Sequence, residues 1–172
     1  FQPGEQLPYF TQSITATCFG AFYVSFPMNY LYLITLERGV YAFYFLCAVI
    51  FLVDTGGYFF GKLIGRHRMT PLASPNKTWE GSIGGIVFAV LGALAARQLL
   101  LKDVGLWTAL VCGALVHVAA QVSDPLESLF KRAVGVKDSS NFLPGHGGFL
   151  DRVDSFLLAA PLFYYFIKLF WK

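Results

Sequence analysis

Apolar residues fall along this chain in five blocks, about 14–36, 40–60, 83–100, 104–122 and 153–171. Each is near the ~20 residues with which a helix crosses a ~30 Å hydrocarbon core. The pattern predicts an all-α fold, a polytopic transmembrane bundle of about five membrane helices, with residues 1–172 forming a single integral-membrane domain. Two connections, Glu37-Arg38-Gly39 and Lys102-Asp103, are short enough to be tight helix hairpins. The other two, 61–82 and 123–152, are long, polar and rich in Gly and Pro, and long polar connections in a compact bundle commonly carry function.

Composition settles the solvent. Apolar residues make up 56% of the chain and charged residues 13%, against about 25% charged in soluble domains, and mean hydropathy is +0.57. A soluble enzyme, a disordered tail and a collagen-like chain are set aside, and the lipid bilayer is the expected surrounding. Cys18, Cys47 and Cys112 each sit inside an apolar block without paired spacing, so they read as small buried hydrophobes rather than a disulfide framework or zinc site. The net charge of +3 is small, and the basic residues lack the aromatic interleaving that single-stranded nucleic acid needs, which argues against a nucleic-acid partner. No internal repeat is evident. The chain opens at Phe1 without a charged leader or signal peptide and reads as the C-terminal part of a longer protein.

Charge also orients the bundle. Of thirteen Lys and Arg residues, Lys62, Arg66, Arg68, Lys77, Lys131, Arg132, Lys137 and Arg152 lie in the two long connections. The positive-inside rule places both on the cytoplasmic face, with Arg38, Arg97, Lys102, Lys168 and Lys172 opposite.

The densest chemistry lies in Ser123-Asp-Pro-Leu-Glu-Ser-Leu-Phe-Lys-Arg132, Lys137-Asp138 and Pro144-Gly-His-Gly-Gly-Phe-Leu-Asp-Arg-Val-Asp154. If the fourth helix continues through Pro125, Asp124, Glu127, Ser128 and Lys131 share one face. Asp151, Asp154 and Ser155 likewise share a face at the start of the last span. Carboxylates at the mouths of two membrane helices, beside Lys and Arg, suit Mg²⁺, which takes one or two carboxylates and completes its shell with water and phosphate oxygens. A plainer reading has Asp124 and Asp151 capping helix N-termini and pairing with Arg132 or Arg152; the mixture of both signs around Gly-His-Gly-Gly exceeds what capping needs. Gly145, Gly147 and Gly148 flank His146, either as a loop whose backbone N–H groups approach an anion or as a flexible turn. His146 itself could orient a phosphate, exchange a proton or hold the loop.

The other long connection offers Ser74-Pro-Asn-Lys-Thr-Trp-Glu-Gly81. Lys77 is a point charge suited to phosphate, and Thr78 stands at a helix start where the dipole is positive. Trp79 reads as an interfacial anchor, and Lys77 fits either role. Within the second block, Asp54 is a carboxylate at membrane depth, a functional candidate by default; Lys62, a basic residue of the other connection or a bound ion would be its partner. Thr55, Gly56 and Gly57 permit close helix packing or local unwinding. His117 reads as a hydrogen-bonded packing residue.

Together these residues resemble the signature of the phosphatidate cytidylyltransferase (CDP-diacylglycerol synthase) family: Ser128, Lys131-Arg132, Lys137-Asp138, Ser140, Leu143-Pro144, His146-Gly147-Gly148, Asp151-Arg152 and Asp154. The segments Ser74–Gly81 and Asp54–Lys62 look like that family's other shared stretches, so the resemblance covers about 51–155. Asn76 stands where the family commonly has Lys, and Ser123 where it commonly has Gly. The resemblance implies transfer of a cytidylyl group from CTP to phosphatidic acid, giving CDP-diacylglycerol and pyrophosphate for phospholipid biosynthesis. It implies Asp124 and Asp151 on Mg²⁺ with Asp154 and Glu127 in support, and Lys131, Arg132, Lys137 and Arg152 on phosphates. Ser128 and Asp138 fall in the same substrate-binding signature. Ser74, Lys77 and Thr78 would meet the triphosphate, and Asp54 would organise the cavity floor or a second cation. His146 would position, because a phosphate nucleophile needs no base.

The same resemblance implies a bacterial cell membrane, a site facing the cytoplasm and further N-terminal membrane helices. Neighbouring readings are a CDP-archaeol synthase or a polyprenol kinase. A secondary transporter would use Asp54 and His117 along an ion pathway, but it calls for paired broken helices in two repeated halves, which the sequence lacks. Gly84, Gly85, Gly92, Ala93, Ala95 and Ala96 would let two copies pack as a homodimer, and would equally serve a bundle within one chain.

Overall fold

Backbone polar groups inside lipid must be satisfied within their own segment, and helices do this. The computed structural model describes residues 3–133, 135–136, 139–140, 148 and 150–171. These form five helices, α1 (Pro3–Arg38), α2 (Val40–Ile64), α3 (Trp79–Leu100), α4 (Leu106–Ala133) and α5 (Leu150–Phe170), and a two-stranded hairpin, β1 (Arg68–Thr70) and β2 (Ser74–Thr78). Among the described residues, α2, α3, α4 and α5 are long and apolar enough to cross a membrane, and the chain is an integral membrane protein. The longest helix, α1, has 36 residues, and its Thr15, Thr17, Ser25 and Asn29 dilute its hydropathy.

The helices overrun the apolar blocks that predict them. α1 begins well before residue 14, α2 continues to Ile64, α3 starts at Trp79, and α4 passes through the buried Pro125 to Ala133. Hydropathy marks the part of a helix that lipid can solvate, whereas the backbone ladder continues until something breaks it. Most of the carboxylates and lysines expected in connections therefore stand on helix ends. The first long connection also holds the β1–β2 hairpin, antiparallel, with Arg68 opposite Thr78 and Thr70 opposite Ser74. Pro71 opens its turn, as a fixed φ favours.

Gly39 alone joins α1 to α2. Its φ of 84° lies in the left-handed region, which a glycine adopts without Cβ strain, and its N–H donates to the Thr35 carbonyl at 3.0 Å. At the same end of the bundle, Arg38 donates to the Trp171 carbonyl at 2.7 Å and Arg97 to the Val104 carbonyl at 2.5 Å. Two of the cations expected opposite the site thus satisfy carbonyls there.

The core gathers Ile34 of α1, Phe45, Leu46, Val49 and Ile50 of α2, Val116 of α4, and Phe163 and Ile167 of α5. α3 joins it through small residues. A Cβ on Gly56 would lie 2.8 Å from the Gly84 carbonyl oxygen, one on Gly81 2.8 Å from that of Gly57, and one on Gly113 2.9 Å from that of Ala89. Gly84, Gly85, Gly92, Ala93 and Ala96 are buried in this packing, and Ala95 is exposed, so the close approach these residues allow is used within the chain. The cysteines are free; Cys112 is buried and Cys47 partly so, but Cys18 is exposed on α1. That last position corrects the expectation of three buried cysteines: an apolar block inside a bundle still has an outer face.

Candidate functional site

Asp124 is the centre of the polar cluster. The break-free passage of α4 through Pro125 holds it on a helix, where it is not an N-cap. Its Oδ2 lies 2.5 Å from Lys77 Nζ, and its Oδ1 accepts from Ser155 Oγ at 2.7 Å. One carboxylate thereby joins β2, α4 and α5. Ser123 donates to the Asp154 carbonyl and fixes the same α4–α5 contact.

Beside this junction lies a cavity of about 200 Å³, walled by Asp54 and Tyr58 of α2, Asn76, Lys77 and Thr78 at the end of β2, Ser82 of α3, and Gln121 and Asp124 of α4. Thr78 has a structural duty as well: it is the N-cap of α3, its hydroxyl accepting from Gly81 N at 3.1 Å. Glu80 holds the hairpin to the same helix start. Its Oε2 accepts from the backbone N–H groups of Arg66 and His67 at 3.1 and 3.2 Å, and its Oε1 is 2.6 Å from His67 Nδ1. Lys77 is therefore presented to Asp124 by a hairpin braced at its base.

Asp154 lies within electrostatic reach of Asp124, Glu127 and Asp54, and Asp54 within reach of Asp124 and Lys77. Asp54 makes no ion pair with Lys62, whose ammonium meets the Tyr58 hydroxyl at 3.3 Å. Asp54, Asp124 and Asp154 carry more negative charge than Lys77 alone offsets, and carboxylates within reach of one another repel unless a cation stands among them.

A second cluster sits nearer the helix ends. Lys131 Nζ is 2.5 Å from Glu127 Oε2 and 2.7 Å from Asp151 Oδ1. Asp151 also accepts from Ser139 N and Oγ, each at 3.0 Å, and from Gly148 N at 2.7 Å. Its partner is thus Lys131 rather than the Arg132 or Arg152 of the capping expectation. Gly148 fits because a Cβ there would fall 2.8 Å from Ser140 N.

Of the residues expected at the site, Asp54, Lys77, Thr78 and Asp124 meet at the cavity, with Asp154 close by, and Glu127, Lys131 and Asp151 form the neighbouring cluster. Ser74 stands at the far end of β2, away from the cavity lining, its carbonyl facing Thr70 Oγ1 at 3.4 Å. Ser128 is half-buried on α4, and Arg132 and Arg152 are exposed. Lys137, Asp138 and His146, with Gly145 and Gly147, lie outside the described residues. His117 is buried, its Nε2 3.3 Å from Ser82 Oγ, in keeping with a packing role. Asn76, Ser82 and Gln121 at the cavity wall were not singled out for chemistry by sequence, since nothing local distinguishes a polar residue that faces a cavity from one that faces a neighbour.

The class defined so far is a helical membrane protein with a carboxylate-and-lysine site sunk between helix ends. Residues 5–170 match the Cytidylyltransferase family, and the chain belongs to it. A phosphatidate cytidylyltransferase of Staphylococcus saprophyticus is 42% identical over 140 residues, 81% of this chain and 54% of that protein. Phosphatidate cytidylyltransferases of Staphylococcus haemolyticus and Staphylococcus aureus are 40% and 41% identical, over 81% and 74% of this chain and 54% and 49% of their own lengths. The chain spans about half the length of the curated relatives it matches.

Proposed function

We propose that the protein transfers a cytidylyl group from CTP to phosphatidic acid, releasing pyrophosphate and forming CDP-diacylglycerol, at the cytoplasmic face of a bacterial cell membrane. The observation that carries this reading is the Lys77–Asp124–Ser155 junction beside the cavity, in a chain of the cytidylyltransferase family. A phosphate oxygen of the lipid attacks the α-phosphorus of CTP; a P–O bond forms there as the bond to the β-phosphate breaks and pyrophosphate leaves. Because that oxygen is already ionised, positioning and charge compensation dominate over proton transfer.

The donors suit magnesium in kind. They are hard carboxylate oxygens, and although no three His, Cys, Asp or Glu side chains among the described residues are grouped to enclose a metal, Mg²⁺ takes only one or two carboxylates when phosphates complete its shell. Asp124 and Asp154 are the first choice to hold it, with Asp54 beside them for a second cation. Asp151 and Glu127 join them only by giving up Lys131. Bound magnesium would offset charge on the triphosphate as pyrophosphate departs. Lys77 neutralises phosphate from the hairpin side, Ser155 keeps the Asp124 carboxylate aimed, and Lys131 offers a second cation near the helix ends. Lys137, Arg132 and Arg152 are proposed for further phosphate contacts, with His146 positioning.

The test is pyrophosphate release by the full-length protein in detergent micelles with CTP, phosphatidate and Mg²⁺, each omitted in turn, beside Asp124→Asn. Dependence on all three and a loss of about 10² or more in the variant is expected, the scale of a lost transition-state contact. Release of CDP instead of pyrophosphate would mark phosphoryl transfer and defeat the reading.

A further inference from the structure

An apolar cavity of about 410 Å³ lies between α1 and the end of α4, within the range of small-molecule sites. On α1 its wall is Ala16, Phe19, Gly20, Tyr23 and Val24, the i, i+3, i+4, i+7, i+8 face of one helix. On α4 it is Phe130 together with the charged pair Glu127 and Lys131. Phe130 stands edge-on to the rings of both Phe19 and Tyr23, at 5.1 and 5.2 Å between centroids.

One group is costly if nothing occupies this space, and one position is left open. The Tyr23 hydroxyl is buried and has no hydrogen-bond partner among the described residues, which burial penalises. Gly20 faces open space, with nothing within 4 Å of where its Cβ would be. The trough ends at the Tyr23 hydroxyl, which has a proton left to donate, and at the Lys131 ammonium, whose hold on Glu127 and Asp151 a phosphate oxygen would share. A molecule that is hydrocarbon along its length with acceptor oxygens at one end matches both.

We infer that this trough seats the lipid acceptor, its hydrocarbon against the α1 face, its anionic head toward Lys131, and one of its oxygens accepting from the Tyr23 hydroxyl. The inference rests on the proposed reaction and adds the lipid's place and a positioning residue on α1. Tyr23 is a positioning residue for the lipid, since the cavity beside Lys77 has a lining of its own that does not include it.

Two measurements on the full-length protein separate this seat from the reaction itself. In the first, phosphatidate carrying a diazirine on its acyl chain is photolysed with the protein in the absence of CTP. Labelling of residues 16–24, reduced at least fivefold by Gly20→Leu, is expected whether or not turnover occurs; labelling that leaves 16–24 unmarked overturns the seat. In the second, Tyr23→Phe is expected to raise the KM for dioleoyl phosphatidate about fivefold while the KM for CTP and the melting temperature stay put. Gly20→Leu should raise the ratio of KM for dioleoyl over dihexanoyl phosphatidate about tenfold. A Tyr23→Phe protein that melts higher with its lipid KM unchanged makes the hydroxyl merely an unsatisfied group, and refutes its assignment. Labelling of α1 without any cytidylyl transfer would leave the seat standing and remove the reaction.

Discussion

Asp124 holds two partners on two different elements, and the weaker-looking of them is the more informative. Lys77 is a charge whose loss would disturb everything nearby, whereas the Ser155 hydroxyl orients one carboxylate oxygen. A hydrogen bond to a charged group contributes about 1.5–3 kcal/mol, so Ser155→Ala should lower kcat about tenfold or more with Mg²⁺ and CTP saturating, while the protein elutes and melts as wild type. Ser155→Thr should recover much of the rate because the hydroxyl returns. Equal losses in both variants would mean that the position, not the hydroxyl, matters. At this scale the sequence was informative about which residues and uninformative about partners. The spacing of Asp151, Asp154 and Ser155 places them on one face, but a helical period carries no information about what lies across from that face. Hence the capping reading gives Asp151 an arginine, Arg132 or Arg152, where Lys131 holds it, and Asp54, for which Lys62, a basic residue of the other connection or a bound ion is the expected partner, shares its cavity with Lys77 and Asp124.

Among the elements, α3 depends most on what it lacks. Its apolar face is built of Gly and Ala, so its packing is backbone against backbone, and lipid gives no hydrophobic drive to replace lost contact. Gly113→Ala would place a methyl 2.9 Å from the Ala89 carbonyl and push α4 from α3, at about 1–3 kcal/mol for an overpacked site. The thermal midpoint in detergent should fall by several degrees, whereas Gly20→Ala, with open space at its Cβ, should leave it equal or slightly higher; a Gly113→Ala protein as stable as wild type would contradict the contact. The elements themselves were largely readable, because five apolar blocks of the right length have few alternatives. Their ends were not. Polar residues at Ser123–Arg132 read as connection, although nothing there stops a helix, and the hairpin Arg68–Thr78 has too few apolar positions to show a period of two.

For the whole molecule, the charges divide the bundle into two unlike ends. At the hairpin end Lys77 and Lys131 answer carboxylates; at the other, Arg38 and Arg97 answer backbone carbonyls beyond the helix ends. If the positive-inside rule sets the orientation, a cysteine placed at the exposed Leu72 in a cysteine-free protein should react with a membrane-impermeant maleimide only in inside-out vesicles. One placed at the exposed Asp103 should react only in right-side-out cells, and the reverse pattern would invert the proposed orientation.

The one-residue turn at Gly39 has a bearing on how the molecule is made. Glu37 and Arg38, the last residues of α1 before that turn, find their partners on and just beyond α5: the Tyr164 hydroxyl donates to Glu37 at 2.9 Å, and the Trp171 carbonyl accepts from Arg38. During synthesis both charges must wait until α5 is made. A nascent protein halted before α5 should therefore hold α1 and α2 loosely, open to protease near residue 39, and the synthesis of α5 should close that site. The arrival of α5, rather than the meeting of neighbours in sequence, fixes the pairing of α1 with α2.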